Sequence, residues 1–282
     1  MSDNTQYTFV IKPKRSLWDI NLKEIWQYRD LLILLVKRDF ISVYKQTILG
    51  PIWFFIHPML TTVTFTIVFG MFAQLPTDGI PTILFYLTGV TFWNYFSSCL
   101  TATSNTFITN AAVFGKVYFP RLIVPLSIVI SNLMKLAIQF LLLIIVWLYY
   151  VFVNENVNPQ ITLVFVPVIL LLFALMGLGF GLLFSALTTK YRDLSFLIAF
   201  GVQLLMYASA VIFPVSVLSP DKQWMLMLNP LVPLMEAIKY SFLGAGIFDW
   251  AYIAYSSAFT LVALLIGVLI FNKVEKGFID TV

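Results

Sequence analysis

Charge is scarce in this chain. Only 11% of its 282 residues are Asp, Glu, Lys or Arg, where an average soluble domain carries roughly 25%. Between Gln46 and Thr189 the charged residues are Asp78, Lys116, Arg121, Lys135 and Glu155 and no others. A water-soluble domain of that length could not cover its surface with so few polar groups, so lipid is the expected solvent for most of the protein. Cysteine and histidine are nearly missing too. Cys99, standing alone, excludes an intramolecular disulfide and a thiolate metal cluster. With His57 as the sole histidine, neither a zinc site nor a Ser-His-Asp arrangement can be assembled. His57, next to Pro58, reads as a packing or hydrogen-bonding group.

Two further absences bear on energy. All 13 acidic residues lie outside the long apolar runs, with Glu236 nearest to an exception. Ion-coupled carriers place Asp, Glu or His within the membrane as relays, so ion-driven transport is not expected. The phosphate-cradling pattern G-x-x-x-x-G-K-[ST] is missing as well. Gly115-Lys116 is followed by Val117 and lacks the upstream glycine. No catalytic, cofactor-binding or metal-binding residue is therefore assigned, and uphill transport would have to draw its energy from a partner. A cleavable signal peptide is not expected either, because the first 45 residues are polar and charged.

What is present is hydrophobic length, 60% of the chain. A helix needs roughly 20 apolar residues to cross about 30 Å of hydrocarbon. Six segments qualify: Ile48–Phe72, Ile80–Leu100, Leu122–Val153, Ile161–Leu187, Leu194–Val217 and Tyr252–Phe271. They are continuously apolar rather than alternating, which excludes a membrane barrel. The expected fold is an all-α polytopic membrane protein of a single domain. Residues 1–47 form an N-terminal segment, 48–272 the membrane core and 273–282 a tail.

Orientation follows from the basic residues. With the N-terminus inside, the inner segments hold 14 basic residues and the outer ones only Lys222 and Lys239, with Lys135 inside a span. That asymmetry predicts cytoplasmic termini. It also accounts for the net charge of +4 without nucleic acid. Trp18, Leu22, Ile25 and Trp26 recur at helical spacing, and Asn21 with Glu24 resembles a capping box. Two placements stand for this amphipathic helix, on the membrane surface or on the protein's own loops. The run from Pro214 to Trp250 is apolar but broken by Pro214, Pro220, Pro230 and Pro233. Re-entrant helices dipping from the outer face and an outer surface loop both fit it. Gly177, Gly179 and Gly181 permit close helix approach, within one protomer or between two. Lys135 either snorkels to the interface or faces a pathway for an anionic substrate.

One segment runs Leu35-Val-Lys-Arg-Asp-Phe-Ile-Ser-Val-Tyr-Lys-Gln-Thr-Ile-Leu-Gly-Pro-Ile-Trp53 and is followed by His57-Pro58. It resembles the start of ABC-type polysaccharide export permeases. Lys116-Val-Tyr-Phe-Pro-Arg121 with Pro125 is similar to their segment between the second and third spans, and Tyr191-Arg-Asp193 to that between the fourth and fifth. Phe213-Pro214 and Asn229-Pro230 match their outer re-entrant region. The resemblance covers nearly the whole chain in order. It implies a multi-pass subunit of the bacterial inner membrane that works as a homodimer with two copies of a separate cytoplasmic ABC ATPase. ATP is used by that partner. The implied cargo is a lipid-linked glycan such as O-antigen, capsule or teichoic polymer. An ABC permease for a drug or small lipid shares the topology and is the alternative. A membrane glycosyl or acyl transferase is a further one, poorly served by the few acidic groups.

Physical roles follow from that implication. A polymer needs a continuous passage, and aromatic rings stack on the C–H faces of sugars without fixing register. Phe85, Phe92 and Phe96 share a helical face in the second span, and Phe65 and Phe69 recur in the first. With Lys135 they are the candidates for a translocation path, against ordinary packing. A partner ATPase must act through cytoplasmic elements. The candidates are Phe107, Phe114, Lys116 and Arg121 in the second inner connection, and Tyr191 and Arg192 in the short turn after it. For Lys116 and Arg121 the competing reading is orientation alone.

Overall fold

The computed structural model describes residues 22–45, 50–114, 119–153 and 157–278. Trp18, Asn21, Lys116 and the loop at Glu155 lie outside the described residues. Everything described is helix, turn or irregular chain, with no strand among the described residues.

The chain opens with helices α1 (Leu22–Gln27) and α2 (Arg29–Tyr44). Ile25, Tyr28, Leu31 and Leu32 pack on a cluster that contains Leu35, Phe107 and Phe114, while Trp26 points outward at 71% exposure. Of the residues expected on the amphipathic helix, Ile25 thus packs on the protein's own elements and Trp26 does not. Helix α3 (Trp53–Phe65) contains the buried Pro58 and continues as a π-helical stretch, Thr66–Phe72. Helix α4 (Thr82–Ser104) is the axis of the molecule. It is buried on almost every face, because the other long helices surround it and its Thr and Ser hydroxyls bond back to its own carbonyls. Two single turns follow, α5 (Thr106–Thr109) and α6 (Ala111–Phe114).

Helix α7 (Ile123–Val153) has 31 residues, a length of about 46 Å at 1.5 Å each. A 3-10 turn, Ile161–Phe165, leads into α8 (Val166–Lys190), and α12 (Trp250–Phe278) closes the described chain. Four segments among the described residues are long and apolar enough to cross a bilayer: Trp53–Phe72, Ile123–Val153, Ile161–Lys190 and Trp250–Val274. α4 has the length but carries more hydroxyls. The exterior suits lipid: Phe72, Phe152 and Phe196 are each at least 80% exposed.

The glycines of α8 settle the close-approach question within one protomer. A Cβ at Gly177 would lie 2.8 Å from the Cβ of Cys99 on α4, and one at Gly179 would lie 2.8 Å from the backbone N of Leu264 on α12. These three helices therefore touch backbone to backbone.

The fifth expected span is corrected. Instead of a helix to Val217, α9 (Leu194–Tyr207) stops after 14 residues, about 21 Å. Ala208–Ser209 turn away, Ala210 adopts a left-handed φ of 54°, and Pro214 forbids resumption. Short helices α10 (Pro220–Met227) and α11 (Leu231–Leu243) follow. α11 is buried from Leu231 through Lys239 without a break. Gly244, at φ 77°, ends it in a left-handed cap.

Candidate functional site

The connection between α4 and α7 is an aromatic knot. Phe107 stacks on Phe271 of α12 at 4.7 Å between centroids and meets Phe114 at 5.6 Å. Phe114 reaches Phe119 at 5.8 Å. Arg121 is buried, its guanidinium 5.4 Å above the Phe114 ring. Phe107 and Phe114 were expected at a contact with a partner ATPase; in the single chain their rings fill the space between α2, α7, α8 and α12. What this segment presents outward is Thr109 and Ala112. Tyr191 and Arg192 are exposed in the turn before α9, with the Lys190 ammonium 5.1 Å from the Tyr191 ring. Phe107→Leu keeps most of the volume but loses the stack, so it should lower stability by about 1–2 kcal/mol. Thermal unfolding in detergent micelles checks it, and an unchanged midpoint would deny the knot its structural role.

Lys135 lies in α7, 12 residues in from Ile123, a little over three turns. Its ammonium donates to Asn132 Oδ1 at 2.9 Å. Both line a polar cleft of about 600 Å³ between α2, the end of α4, α5 and α7. Arg38 borders the same cleft, bonded to Asp39 Oδ1 at 2.7 Å and to Asn110 Oδ1 at 3.2 Å.

The expected path rings separate into two groups. Phe92 and Phe96 are at most 1% exposed in the single chain. Phe92 lies against Phe140, Phe173 and Phe242, and Phe96 against Trp93 and Phe173. In the single chain both rings are therefore covered by other aromatic side chains. Phe85 is covered too, and holds the Lys239 ammonium 4.1 Å above its ring. Phe65 and Phe69 are half-buried and meet edge to face at 5.4 Å.

Sequence reasoning did not single out the group where α9 breaks. Lys239 is 1% exposed, bonds to the carbonyl of Ala210 and pairs with Glu236 at 3.3 Å. The other Glu236 oxygen accepts from the Ile247 N–H at 3.3 Å. Asn229 donates to the Ala208 carbonyl at 2.9 Å and accepts from the Leu231 N–H at 3.1 Å. The carbonyls freed by the end of α9 are thus satisfied by side chains brought by α10–α11. The i,i+3 spacing of Glu236 and Lys239 was visible, but a pair at that spacing is ordinarily a solvated one.

Such an arrangement holds no cluster able to bind a metal among the described residues. It is a scaffold with a polar inner cleft and a broken helix. The profile of the ABC-2 type transporter matches residues 30–243. The chain belongs to the ABC-2 type transporter family. Full-length relatives agree. One is the O-antigen export system permease protein RfbA of Klebsiella pneumoniae, 26% identical over 89% of this chain and 94% of its own length. Another RfbA, from Myxococcus xanthus, is 25% identical over 93% and 98%. The polysialic acid transport protein KpsM of Escherichia coli is 24% identical over 83% and 89%. In this ABC-2 transporter the matched stretch begins in α2 and ends with α11, so the cleft and the broken α9 fall inside it, while the aromatic knot reaches beyond it at Phe271 of α12.

Proposed function

We propose that the chain is the membrane-spanning permease subunit of an ATP-driven exporter that moves a lipid-linked polysaccharide, O-antigen-like, out across a bacterial inner membrane. It works as a homodimer with two copies of a separate ABC ATPase. The observation that carries this reading is the end-to-end likeness to export permeases whose named cargoes are all bacterial surface glycans. A permease of drugs or small lipids would share the helices but not those relatives.

In this reading the six crossings are α3, α4, α7, α8, α9 with its following turns, and α12, with both termini cytoplasmic. The basic residues support the orientation: 14 against Lys222 and Lys239. Re-entrance of α10 and α11 from the outer face is supported by the end of α9. A helix of about 21 Å cannot cross about 30 Å of hydrocarbon, and freed carbonyls at that depth require partners from protein. Asn229 and Lys239 are those partners. The coupling surface for the ATPase is the exposed edge of α5–α6 at Thr109 and Ala112 together with Tyr191–Asp193, because these are uncovered while Phe107 and Phe114 are not. Rings able to accompany sugars between two copies are those the single chain leaves bare on α9: Phe196, Phe200 and Tyr207.

Proteoliposomes holding the permease with its ABC ATPase should translocate a lipid-linked glycan only when ATP is supplied, and the permease alone should hydrolyse none. Translocation without ATP would overturn the reading. So would ATPase stimulation by a small amphiphile in place of the glycan, which would favour the drug-exporter class.

A further inference from the structure

The cleft at Lys135 is chemically unlike the rest of this protein. Apolar side chains dominate elsewhere, yet here α2, α4, α5 and α7 converge with Arg38, Asp39, Asn105, Asn110, Asn132 and Lys135 on its walls. Its volume of about 600 Å³ is that of a small-ligand site. The amides are turned to structure. Asn105 and Asn110 spend donors on the carbonyls of Thr101 and Thr106, at 2.9 and 3.2 Å. The cations are different. A guanidinium carries five N–H donors and an ammonium three, more than the bonds to Asp39, Asn110 and Asn132 use. Two positive charges face one carboxylate, so the cleft keeps a positive excess.

Position adds a second argument. Lys135 stands 12 residues inside α7, some 18 Å along the axis. A charge at that depth is costly in lipid and is kept where it faces a cavity or a partner. Asn132, one turn earlier on α7, holds the ammonium at the cleft wall. The cleft is bordered by α2, the helix that carries Arg29, Lys37 and Arg38. It thus opens toward the basic end of the molecule, where an anionic amphiphile arriving from the inner leaflet would meet it.

We propose that this cleft is a binding site for the phosphate-bearing headgroup of a lipid, with Lys135 and Arg38 supplying charge-assisted hydrogen bonds and Asn132 fixing the ammonium. The two sources of that chemistry are the diphosphate of a lipid-linked glycan and the headgroup of a membrane phospholipid. The first rests on the export reading above. The site itself does not, since binding is a property of the permease without its ATPase.

The purified full chain in detergent micelles is titrated with a polyprenyl diphosphate, the corresponding polyprenol, phosphatidylglycerol and inorganic diphosphate, and bound lipid is read by native mass spectrometry. The native protein should bind polyprenyl diphosphate more tightly than polyprenol by about tenfold or more, the worth of a charge-assisted hydrogen bond. Lys135→Met should abolish that preference, Lys135→Arg should keep most of it, and Lys222→Met, at an exposed remote position, should leave it intact. Arg38→Gln, on the exposed side of α2, should weaken it in the same direction and serves if Lys135→Met does not fold. Preference for polyprenyl diphosphate over phosphatidylglycerol assigns the site to the exported lipid. Equal binding of the two, still dependent on Lys135, assigns it to bulk phospholipid; either result supports a phosphate site. Equal binding of diphosphate and alcohol by the native protein sinks the proposal, as does an undiminished preference in both Lys135→Met and Arg38→Gln. Neither failure touches the ATP-driven translocation assay, which tests the export reading separately.

Discussion

Lys239→Met should cost this protein about 3–5 kcal/mol, the usual consequence of removing one partner from a buried ion pair. The methionine fits the space, so the loss is electrostatic. Three groups are abandoned at once. Glu236, 1% exposed, is left with only the Ile247 N–H beside it. The Ala210 carbonyl loses its donor. The Phe85 ring loses the cation at 4.1 Å, a contact worth about 1–2 kcal/mol when desolvated.

A second variant separates charge from packing. Glu236→Gln combined with Lys239→Met removes both charges, and the glutamine oxygen still accepts from Ile247. The double variant should therefore recover part of the loss, leaving mainly the orphaned Ala210 carbonyl, about 1–3 kcal/mol. Unfolding midpoints in micelles, measured for both singles and the double, give the coupling energy directly. If Lys239→Met alone unfolds at the native midpoint, the pair does not brace the broken end of α9.

The break in α9 also marks the boundary of what the sequence can tell. Continuous apolarity from Leu194 to Val217 predicted one helix, because hydropathy reports the solvent and not the backbone. The stop at Tyr207 depends on Asn229 and Lys239, which arrive from 22 and 32 positions downstream. No local window contains them. The same limit explains Phe92 and Phe96. Their spacing correctly placed them on one helical face, but periodicity cannot say what lies opposite, and the opposite side is filled by Phe140, Phe173 and Phe242. Phe107 and Phe114 were candidates for a contact because they lie in a connection expected on the cytoplasmic side; Phe271 claims Phe107 from the far end of the chain. What was legible depended on composition and chemistry rather than on tertiary partners. The lipid environment, the helical class, the proline-broken region and the odd charge at Lys135 all needed only local residues.

The glycines of α8 were legible in type but not in address. Gly177 and Gly181 form a small-xxx-small pair, and the pattern alone allows a contact inside one protomer or between two. The structure turns both toward α4 and turns Gly179 between them toward α12, where Gly267 reciprocates. Helix α8 is thereby clamped on two sides at the level where it crosses its neighbours. Gly179→Leu should be more disruptive than Lys239→Met. Its Cβ would stand 2.8 Å from the Leu264 nitrogen and 2.9 Å from its Cα, so the clash is with backbone and no rotamer relieves it. Overpacking a core costs about 1–3 kcal/mol when side chains can shift, and here a whole helix must move. The expected result is failure to recover monodisperse protein, or a fall in unfolding midpoint larger than that of Lys239→Met. Gly201→Ala supplies the contrast. That glycine lies on α9 with nothing within 4 Å of its missing Cβ, and alanine is the better helix former by about 1 kcal/mol. It should be recovered in full with an equal or higher midpoint. A Gly179→Leu protein as stable as Gly201→Ala would mean that α8 and α12 do not meet at this glycine.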